Sequence, residues 1–251
     1  MPAPLALQLY TVREALNSDF NGIVTKVAQM GYAGVESAGF PGTTPVKAKA
    51  LFDDLGLQVC SAHTRLPNAD GINEVVDLAG ALGVTRVVTS SGRDRFQDMA
   101  SVEALCAEWN EAAGRAGEHG LELGLHNHWW EFTQVEGRSG YDLLIEKLDP
   151  SIHFQVDTYW VQTGGGDAVD VISRLGTRAP LIHIKDGSCD PAANMLAAGS
   201  GAMDFPAIAK ACGTAAEWFI IELDRCDTDM MEAVRQSHDY MVGNGLATGR
   251  E

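Results

Sequence analysis

The strongest constraint on the fold is an alternation of short apolar runs with longer amphipathic stretches, which repeats eight times over 251 residues. Short apolar runs between turn residues are typical of strands, and amphipathic stretches with a 3.6-residue period are typical of helices. The predicted strands are Leu5–Val12, Gly34–Ala38, Gln58–Thr64, Arg86–Ser91, Leu121–His128, Ile152–Trp160, Leu181–Asp186 and Trp218–Asp224. The predicted helices are Asp19–Met30, Thr44–Leu55, Asn68–Leu82, Val102–His119, Tyr141–Leu148, Ala168–Leu175, Phe205–Cys212 and Asp229–Val242.

Eight strand–helix units of about 30 residues each match a closed parallel (β/α)8 barrel, the TIM barrel architecture. The rival is a doubly wound open sheet, which has fewer strands and usually a glycine-rich phosphate-binding turn after the first strand. Here the first strand continues through Gln8 and Tyr10 without such a turn. The later run Gly164-Gly165-Gly166 lacks the Gly-Lys-Ser/Thr that would make it a phosphate loop. We therefore expect one barrel domain over residues 1–251.

Composition argues against several classes of protein. The formal net charge is −16, from 34 acidic and 18 basic residues, and such a field repels nucleic acid. No apolar run approaches the roughly 20 residues of a membrane-spanning helix. The N-terminus has no basic region and no cleavage-site pattern, so we expect no export signal. The five cysteines lack metal-finger spacing, and we expect reduced thiols in a cytoplasmic protein.

Polar residues collect at the predicted carboxyl ends of the strands, where barrels of this type carry their active sites. Ionisable groups are costly to bury without partners, so a purely structural barrel would place leucine or valine at most of these positions. These residues are Gln8, Tyr10, Glu36, His63, Ser90, His126, His128, Asp157, Tyr159, His183, Lys185, Glu222 and Asp224. Their concentration at one rim predicts a polar cavity that binds a ligand.

The period-two alternation of side chains along a strand indicates which of these residues point inward. If the inward faces are those that carry the polar residues, His126, Asp157, His183 and Glu222 come from four adjacent strands and meet at one point. Two imidazoles and two carboxylates suit Mn, Co, Fe or Zn, and Mg less well. Singly, Asp157 could cap a loop or pair with Lys185. Taken together, the four favour a metal site.

Two tryptophans and three histidines outside this group are interpreted differently. The adjacent Trp129 and Trp130 suit either packing at the barrel rim or stacking on a sugar ring. We interpret His119, His153 and His238 as structural, because they lie in helices or at the start of a strand.

Several segments taken in order resemble the sugar phosphate isomerase/epimerase family. This family belongs to the xylose isomerase-like barrel superfamily, which also contains inosose dehydratases and endonuclease IV. The most informative segments are Gly124–Phe132, Phe154–Trp160, His183–Asp186 and Ile221–Asp224. The segments Leu7–Arg13, Ser61–His63 and Asp204–Ile208 fit the same branch, so the resemblance spans essentially the whole chain.

The resemblance implies a divalent metal, Mn, Co, Mg or Zn, held by an acid on strand five and by Asp157, His183 and Glu222. The chain departs from the pattern at strand five, where His126 stands in the place of a frequent glutamate. Either His126 is the ligand there, or Glu131 reaches back from the following loop.

The implied reaction is isomerisation or epimerisation of a sugar or keto-sugar by proton transfer through an enediolate. Glu131 or Glu222 would be the base, and His128 or His63 would deliver a proton. Lys185 would polarise or anchor a substrate oxygen. The residues expected to contact substrate are Gln8, Tyr10, Glu36, His63, Trp160 and Lys185.

Three other functions stay open on the sequence. The nearest is a metal-dependent dehydratase or lyase on an inosose or a 3-keto-sugar. An endonuclease on abasic DNA rests on superfamily membership alone, and the acidic charge counts against it. The third is a non-enzymatic sugar-binding protein. A homodimer through Trp218, Met230 and Met231 is likewise open.

Overall fold

Eight parallel strands close into a barrel in the computed structural model, which describes residues 2–250. The strands are β1 Leu5–Gln8, β2 Gly34–Ser37, β3 Gln58–His63, β4 Arg86–Thr89, β5 Glu122–His126, β6 His153–Asp157, β7 Leu181–Ile184 and β8 Trp218–Ile221. Each strand pairs with its neighbours in the chain, and β8 closes the barrel on β1, with Leu5 opposite Phe219. The predicted (β/α)8 architecture is confirmed.

Helices surround the barrel. They are α1 Arg13–Ser18, α2 Phe20–Gln29, α3 Pro45–Asp54, α4 Ile72–Leu82, α5 Met99–Glu118, α6 Gly140–Lys147, α7 Thr158–Thr163, α8 Ala168–Leu175, α9 Phe205–Cys212 and α10 Met230–Gly243. A small hairpin pairs Gln134–Val135 with Arg138–Ser139 in the loop after β5. Within the described residues, no helix is long and apolar enough to cross a membrane.

All eight strands end earlier than predicted, and in β1 and β6 the reason is that a side chain at the strand end caps a helical turn. Gln8 accepts a hydrogen bond from the backbone N–H of Tyr10, and a 3-10 turn over Leu9–Val12 follows β1. Asp157 accepts one from the backbone N–H of Trp160 and is the N-cap of α7. The prediction of strand through Val12 and through Trp160 was therefore wrong. Tyr159 lies in a helix and does not share the inward face of Asp157.

The barrel interior has an apolar lower layer and a polar upper layer. The lower layer contains Ala6, Cys60, Val88, Leu181 and Ile220, which form a cluster separate from the main core between strands and helices. The inward-facing residue two positions later in the chain is polar in three of these cases. Gln8 follows Ala6, His183 follows Leu181, and Glu222 follows Ile220. The period of two therefore carries each inward face from apolar to polar toward the carboxyl end.

Candidate active site

Four side chains from consecutive strands converge at the carboxyl end of the barrel. His126 ends β5, Asp157 ends β6, His183 lies in β7, and Glu222 directly follows β8. Strand register brings them together, since Asp157 lies opposite His183 in the β6–β7 pair. One donor atom from each of the four lies within 4.8 Å of the others, and all four residues are buried. The predicted convergence of these residues is therefore present.

The chemistry of this group suits a metal ion. Ligands at about 2.1 Å from a common ion stand roughly 3 to 4 Å apart. His183 Nδ1 lies 2.8 Å from Glu222 Oε2, and His126 Nε2 lies 3.9 Å from Asp157 Oδ2. Asp157 Oδ2 is fully buried and accepts no well-directed hydrogen bond among the described residues, and the cation beside it is Lys185, whose Nζ lies 3.1 Å away. These four residues could hold a divalent cation.

Lys185 lies beside the same carboxylates. Its Nζ is 3.1 Å from Asp157 Oδ2, 2.9 Å from Glu222 Oε2 and 2.9 Å from Asp224 Oδ2. The ammonium also lies 5.2 Å from the centre of the Trp160 ring. Burial alone would lower the pKa of Lys185, but the three carboxylates raise it well above its ordinary value. A positive charge therefore stands among the carboxylates at the carboxyl end of the barrel.

The two acids respond to this environment in opposite ways. Burial raises the pKa of Asp157, and the attraction of Lys185 and His183 offsets only part of the effect. Burial also acts to raise the pKa of Glu222, but Lys185 and His183 outweigh it and hold that pKa well below its ordinary range. Glu222 is therefore the more firmly ionised of the two.

Glu36 is the centre of an inner hydrogen-bond network beneath the four residues. It is fully buried, and burial alone would raise its pKa. The nearby histidines outweigh that effect and hold the pKa well below its usual value. The polar atoms around its carboxylate are Gln8 Nε2 at 2.6 Å, Ser61 Oγ and Gln155 Nε2 at 2.5 Å each, His183 Nε2 at 2.8 Å and His63 Nε2 at 3.3 Å.

The residues expected to contact substrate divide into an inner and an outer set. Gln8 and Glu36 are fully buried and bound to each other, so their polar groups are used within the protein. Tyr10 is 42% exposed in the turn after β1, at the barrel rim. Trp160 is buried in α7 against Lys185. In the structure, Tyr10 is the member of this group that faces solvent most openly.

Glu131 and His128 form a second pair next to the four-residue group. Glu131 is not one of the four; its Oε2 accepts a hydrogen bond from the backbone N–H of His128 at 2.9 Å. Glu131 Oε1 and His128 Nδ1 face each other at 3.9 Å, and both are buried without a hydrogen-bond partner in the part of the chain described. Burial raises the pKa of Glu131. The His128 ring stacks on Trp130 at 4.0 Å and lies 5.0 Å from the ring of His126.

His63 is the most exposed member of a group of three imidazoles, which also contains His126 and His183. Its ring centre is 5.3 Å from that of His126 and 5.9 Å from that of His183. One nitrogen from each of the three lies within 4.8 Å of the others. The predicted site histidines therefore lie in one cluster, since the ring of His128 is also 5.0 Å from that of His126.

Several residues that shape this site were not predicted to do so. Gln155 lies on the inward face of β6 and contacts Glu36, His63 and His126. Asn127 joins β5 to β6, because its amide donates to the carbonyl of Asp157 and accepts from the backbone N–H of Asp157. The only sequence signal for Gln155 was its place two residues before Asp157.

Asp186, which follows the predicted Lys185, organises the loop after β7. Its buried carboxylate accepts hydrogen bonds from four backbone N–H groups, those of Gly187, Gly199, Gly201 and Met203. A carboxylate that binds so many backbone donors closes the loop over residues 187–203 and fixes its path beside the site.

Comparison with known proteins is consistent with this architecture. An inosose dehydratase of Salmonella agona is 32% identical over 85 residues, which are 34% of this chain. The match spans 28% of the length of that relative. A sugar phosphate isomerase/epimerase from Parabacteroides distasonis has the same fold, with a TM-score of 0.83 and 24% identity over 99% of this chain and 96% of its own.

A third similar structure is that of the IOLI protein with a bound zinc atom. It has a TM-score of 0.71 and 14% identity over 96% of this chain and 97% of its own. The family model for the xylose isomerase-like TIM barrel matches residues 24–242, nearly the whole barrel. With eight paired strands and a polar group at their carboxyl ends, the chain belongs to the xylose isomerase-like TIM barrel family.

Proposed function

We propose that this protein is a divalent-metal-dependent isomerase or epimerase of a sugar or keto-sugar, working by proton transfer through an enediolate. The observation that carries the proposal is the buried convergence of His126, Asp157, His183 and Glu222. It stands at the end of the barrel where enzymes of this architecture carry out their chemistry. The family, and the fold shared with a sugar phosphate isomerase/epimerase, support a sugar as the substrate class.

The four residues hold one divalent cation, which is Mn, Co, Mg or Zn. When bound, the cation supplies Lewis-acid stabilisation for the negative charge that develops when a proton beside a carbonyl is removed. Two imidazoles and two carboxylates fit Mn, Co or Zn better than Mg. The zinc in the structure of the IOLI protein is consistent with this choice of ions.

His128 and Glu131 move the proton in this proposal. The His128 side chain is 25% exposed, whereas the Glu131 side chain is 1% exposed, and the two face each other at 3.9 Å. An imidazole that borders the site, with a carboxylate beside it, can move a proton, and positioned proton transfer contributes about 10²- to 10⁴-fold. Glu222, engaged by His183 and Lys185, is better placed as a ligand than as the mobile base.

Lys185 anchors a substrate oxygen. Its ammonium stays charged at neutral pH, because the carboxylates around it raise its pKa. A fixed positive charge beside a carbonyl oxygen stabilises the charge that oxygen gains as the proton leaves. Tyr10, exposed at the rim, contacts the substrate hydroxyls that lie further out.

A second candidate is the elimination of water from an inosose or a 3-keto-sugar. It is favoured by the sequence matches to inosose dehydratases, which reach 30–34% identity over 85–89 residues. The first step would be the same, because elimination beside a carbonyl also begins with loss of the neighbouring proton. The two candidates differ in what leaves, not in how the site is built.

The experiment is a metal add-back combined with product analysis. The purified protein is stripped with a chelator and then assayed with Mn, Co, Mg or Zn on aldoses, ketoses, keto-sugars and inososes in D₂O, with NMR detection. An isomerase or epimerase incorporates deuterium beside the carbonyl and yields a product of unchanged composition, whereas a dehydratase yields a product that has lost water. Full activity after complete metal removal would overturn the proposal, and sugar binding without turnover would support a binding protein instead.

A variant pair assigns the ligands. Asp157→Asn should lose bound metal, measured by elemental analysis, while keeping the circular dichroism spectrum of the parent. Asp170→Asn is the matched control, because Asp170 is an exposed acid on α8 that pairs with Arg174 at 2.8 Å, far from the cavity. Unchanged metal content in Asp157→Asn would remove Asp157 from the ligand set.

A further inference from the structure

Gln155 is a fully buried amide placed between one carboxylate and two imidazoles. Its Nε2 donates to Glu36 Oε1. Its Oε1 lies 2.9 Å from His126 Nδ1 and 2.8 Å from His63 Nε2. Both ends of the amide are therefore engaged, and the direction in which it points decides which ring nitrogens carry protons.

The direction of this amide is fixed by a chain of hydrogen bonds that begins at the backbone. The N–H of Tyr10 can only donate, so it must face Gln8 Oε1, at 3.1 Å. This orients Gln8 so that its Nε2 donates to Glu36 Oε2, at 2.6 Å. Ser61 Oγ also donates to Glu36. Glu36 is thus an acceptor on this side, and the NH₂ group of Gln155 must face it.

The orientation of Gln155 in turn sets the tautomer of His126. Because Gln155 Oε1 accepts hydrogen bonds only, the nitrogen of His126 that faces it, Nδ1, must carry a proton. The remaining nitrogen, Nε2, is on the side of Asp157 and is 3.9 Å from its Oδ2. An imidazole binds a metal only through an unprotonated nitrogen, and the partner of its other nitrogen determines which one that is.

We propose that Gln155 is a positioning residue that holds His126 as the Nδ1–H tautomer and so presents its Nε2 to the metal centre. The role rests on the proposed function only in that the nitrogen is presented to a metal. The tautomer itself is a property of the metal-free protein. A carboxylate at position 126 would have no tautomer to set, and this difference supplies the test.

The first measurement needs no metal, and its wild-type spectrum alone can overturn the proposal. Long-range ¹H–¹⁵N NMR of the metal-free protein labelled with ¹⁵N-histidine should show the His126 ring protonated at Nδ1, and the Gln155→Met variant should show a mixture of tautomers or the Nε2–H form. A wild-type His126 ring protonated only at Nε2 overturns the proposal. This result decides the question even if Gln155→Met fails to fold. If the protein binds no metal but its His126 ring is protonated at Nδ1, the proposed function is overturned and the role of Gln155 is not.

The second measurement is a double-mutant cycle on the affinity for Mn²⁺ and Co²⁺. Calorimetry at a single pH measures each affinity. Gln155→Met should weaken binding about 10- to 100-fold, the usual cost of removing a hydrogen bond that orients a ligand. In a His126→Glu background the same change should cost under about 3-fold, since no tautomer remains to be set. The matched control is Ser61→Ala, which removes a donor to Glu36 but touches neither His63 nor His126. Equal losses in both backgrounds would make Gln155 a packing residue and overturn the proposal.

Discussion

Buried histidines stand at both ends of the barrel interior, and the structure holds them in different ways. At the mouth, His183 has a carboxylate oxygen 2.8 Å from each ring nitrogen. Deeper in the same barrel, His153 at the start of β6 has no hydrogen bond at either ring nitrogen among residues 2–250. Its ring instead fills the space beside Gly124 on β5. One histidine belongs to a polar network, and the other is used for its volume.

The two environments shift the histidine pKa in opposite directions. Burial would lower the pKa of His183, but Glu36 and Glu222 raise it to about 10. Burial, reinforced by the positive charge of Arg86, lowers the pKa of His153 to about 4. Burial alone therefore does not make a histidine functional. A histidine at the mouth gains its chemistry from acids within hydrogen-bond distance of its ring, whereas Glu217 and Glu36, the acids that act on His153, make no hydrogen bond to it.

The largest expected effect comes from removing the cation that balances the acids at the mouth. Lys185→Met leaves Asp157, Glu222 and Asp224 without their shared ammonium, and breaking a buried pair of this kind costs about 3–5 kcal/mol. Urea unfolding of the metal-free protein measures this loss, and added Mn²⁺ should restore a large part of it by replacing the lost positive charge.

The control for this prediction is an exposed ion pair. Lys147 lies 3.1 Å from Glu103 at the surface, and Lys147→Met should cost under about 1 kcal/mol. If Lys185→Met lowers the free energy of unfolding as little as Lys147→Met does, Lys185 does not hold the acids at the mouth together. The mouth would then not depend on charge in the way that distinguishes it from the environment of His153.

The next effect is a pH dependence that originates at His153. Its pKa is about 4 in the folded protein and about 6.5 when unfolded, so the folded state resists its protonation. The stability it contributes is fully present above pH 6.5, decreases as the pH falls, and is lost by about pH 4. A shift of about 2.5 units corresponds to about 3 kcal/mol.

The measurement compares the free energy of unfolding of wild type and His153→Leu at pH 7 and pH 4.5. The variant should lose less stability on acidification than wild type, by about 2–3 kcal/mol. Parallel losses in the two proteins would mean that His153 is protonated in the folded state or reaches solvent there.

Much of this contrast was accessible from sequence, because it depends on local pattern. The eight strands followed from runs of apolar residues, and period-two alternation placed His126, Asp157, His183 and Glu222 on inward faces at the right end. The structural interpretation of His153 followed from its place at the start of a strand.

The remainder depends on contacts between residues that are far apart in the chain. Glu36 meets Gln155 across 119 residues of sequence, and no local pattern marks such a pair. All eight strand ends were predicted too late, by most at β1, and the capping by Gln8 and Asp157 that ends β1 and β6 depends on the direction of a side chain. The contact of Glu36 with substrate stays a prediction, and the partners that enclose its carboxylate could not be predicted, since strand-end position indicates the layer but not the partner.

The smallest expected effect tests how tightly the lower layer is filled. A methyl group at Gly124 would lie 2.2 Å from His153 Nε2, so Gly124→Ala forces the ring or the strand to shift and should cost about 1–3 kcal/mol. Adding His153→Ala to the same protein should relieve most of that clash, which a double-mutant cycle of thermal unfolding measures. The control is Gly114→Ala on α5, where the added carbon meets nothing within 4 Å beyond the adjacent backbone of its own helix, and a gain of about 0.5–1 kcal/mol is expected. A Gly124→Ala cost that persists without the His153 ring would show that β5 itself, rather than the buried imidazole, requires glycine there.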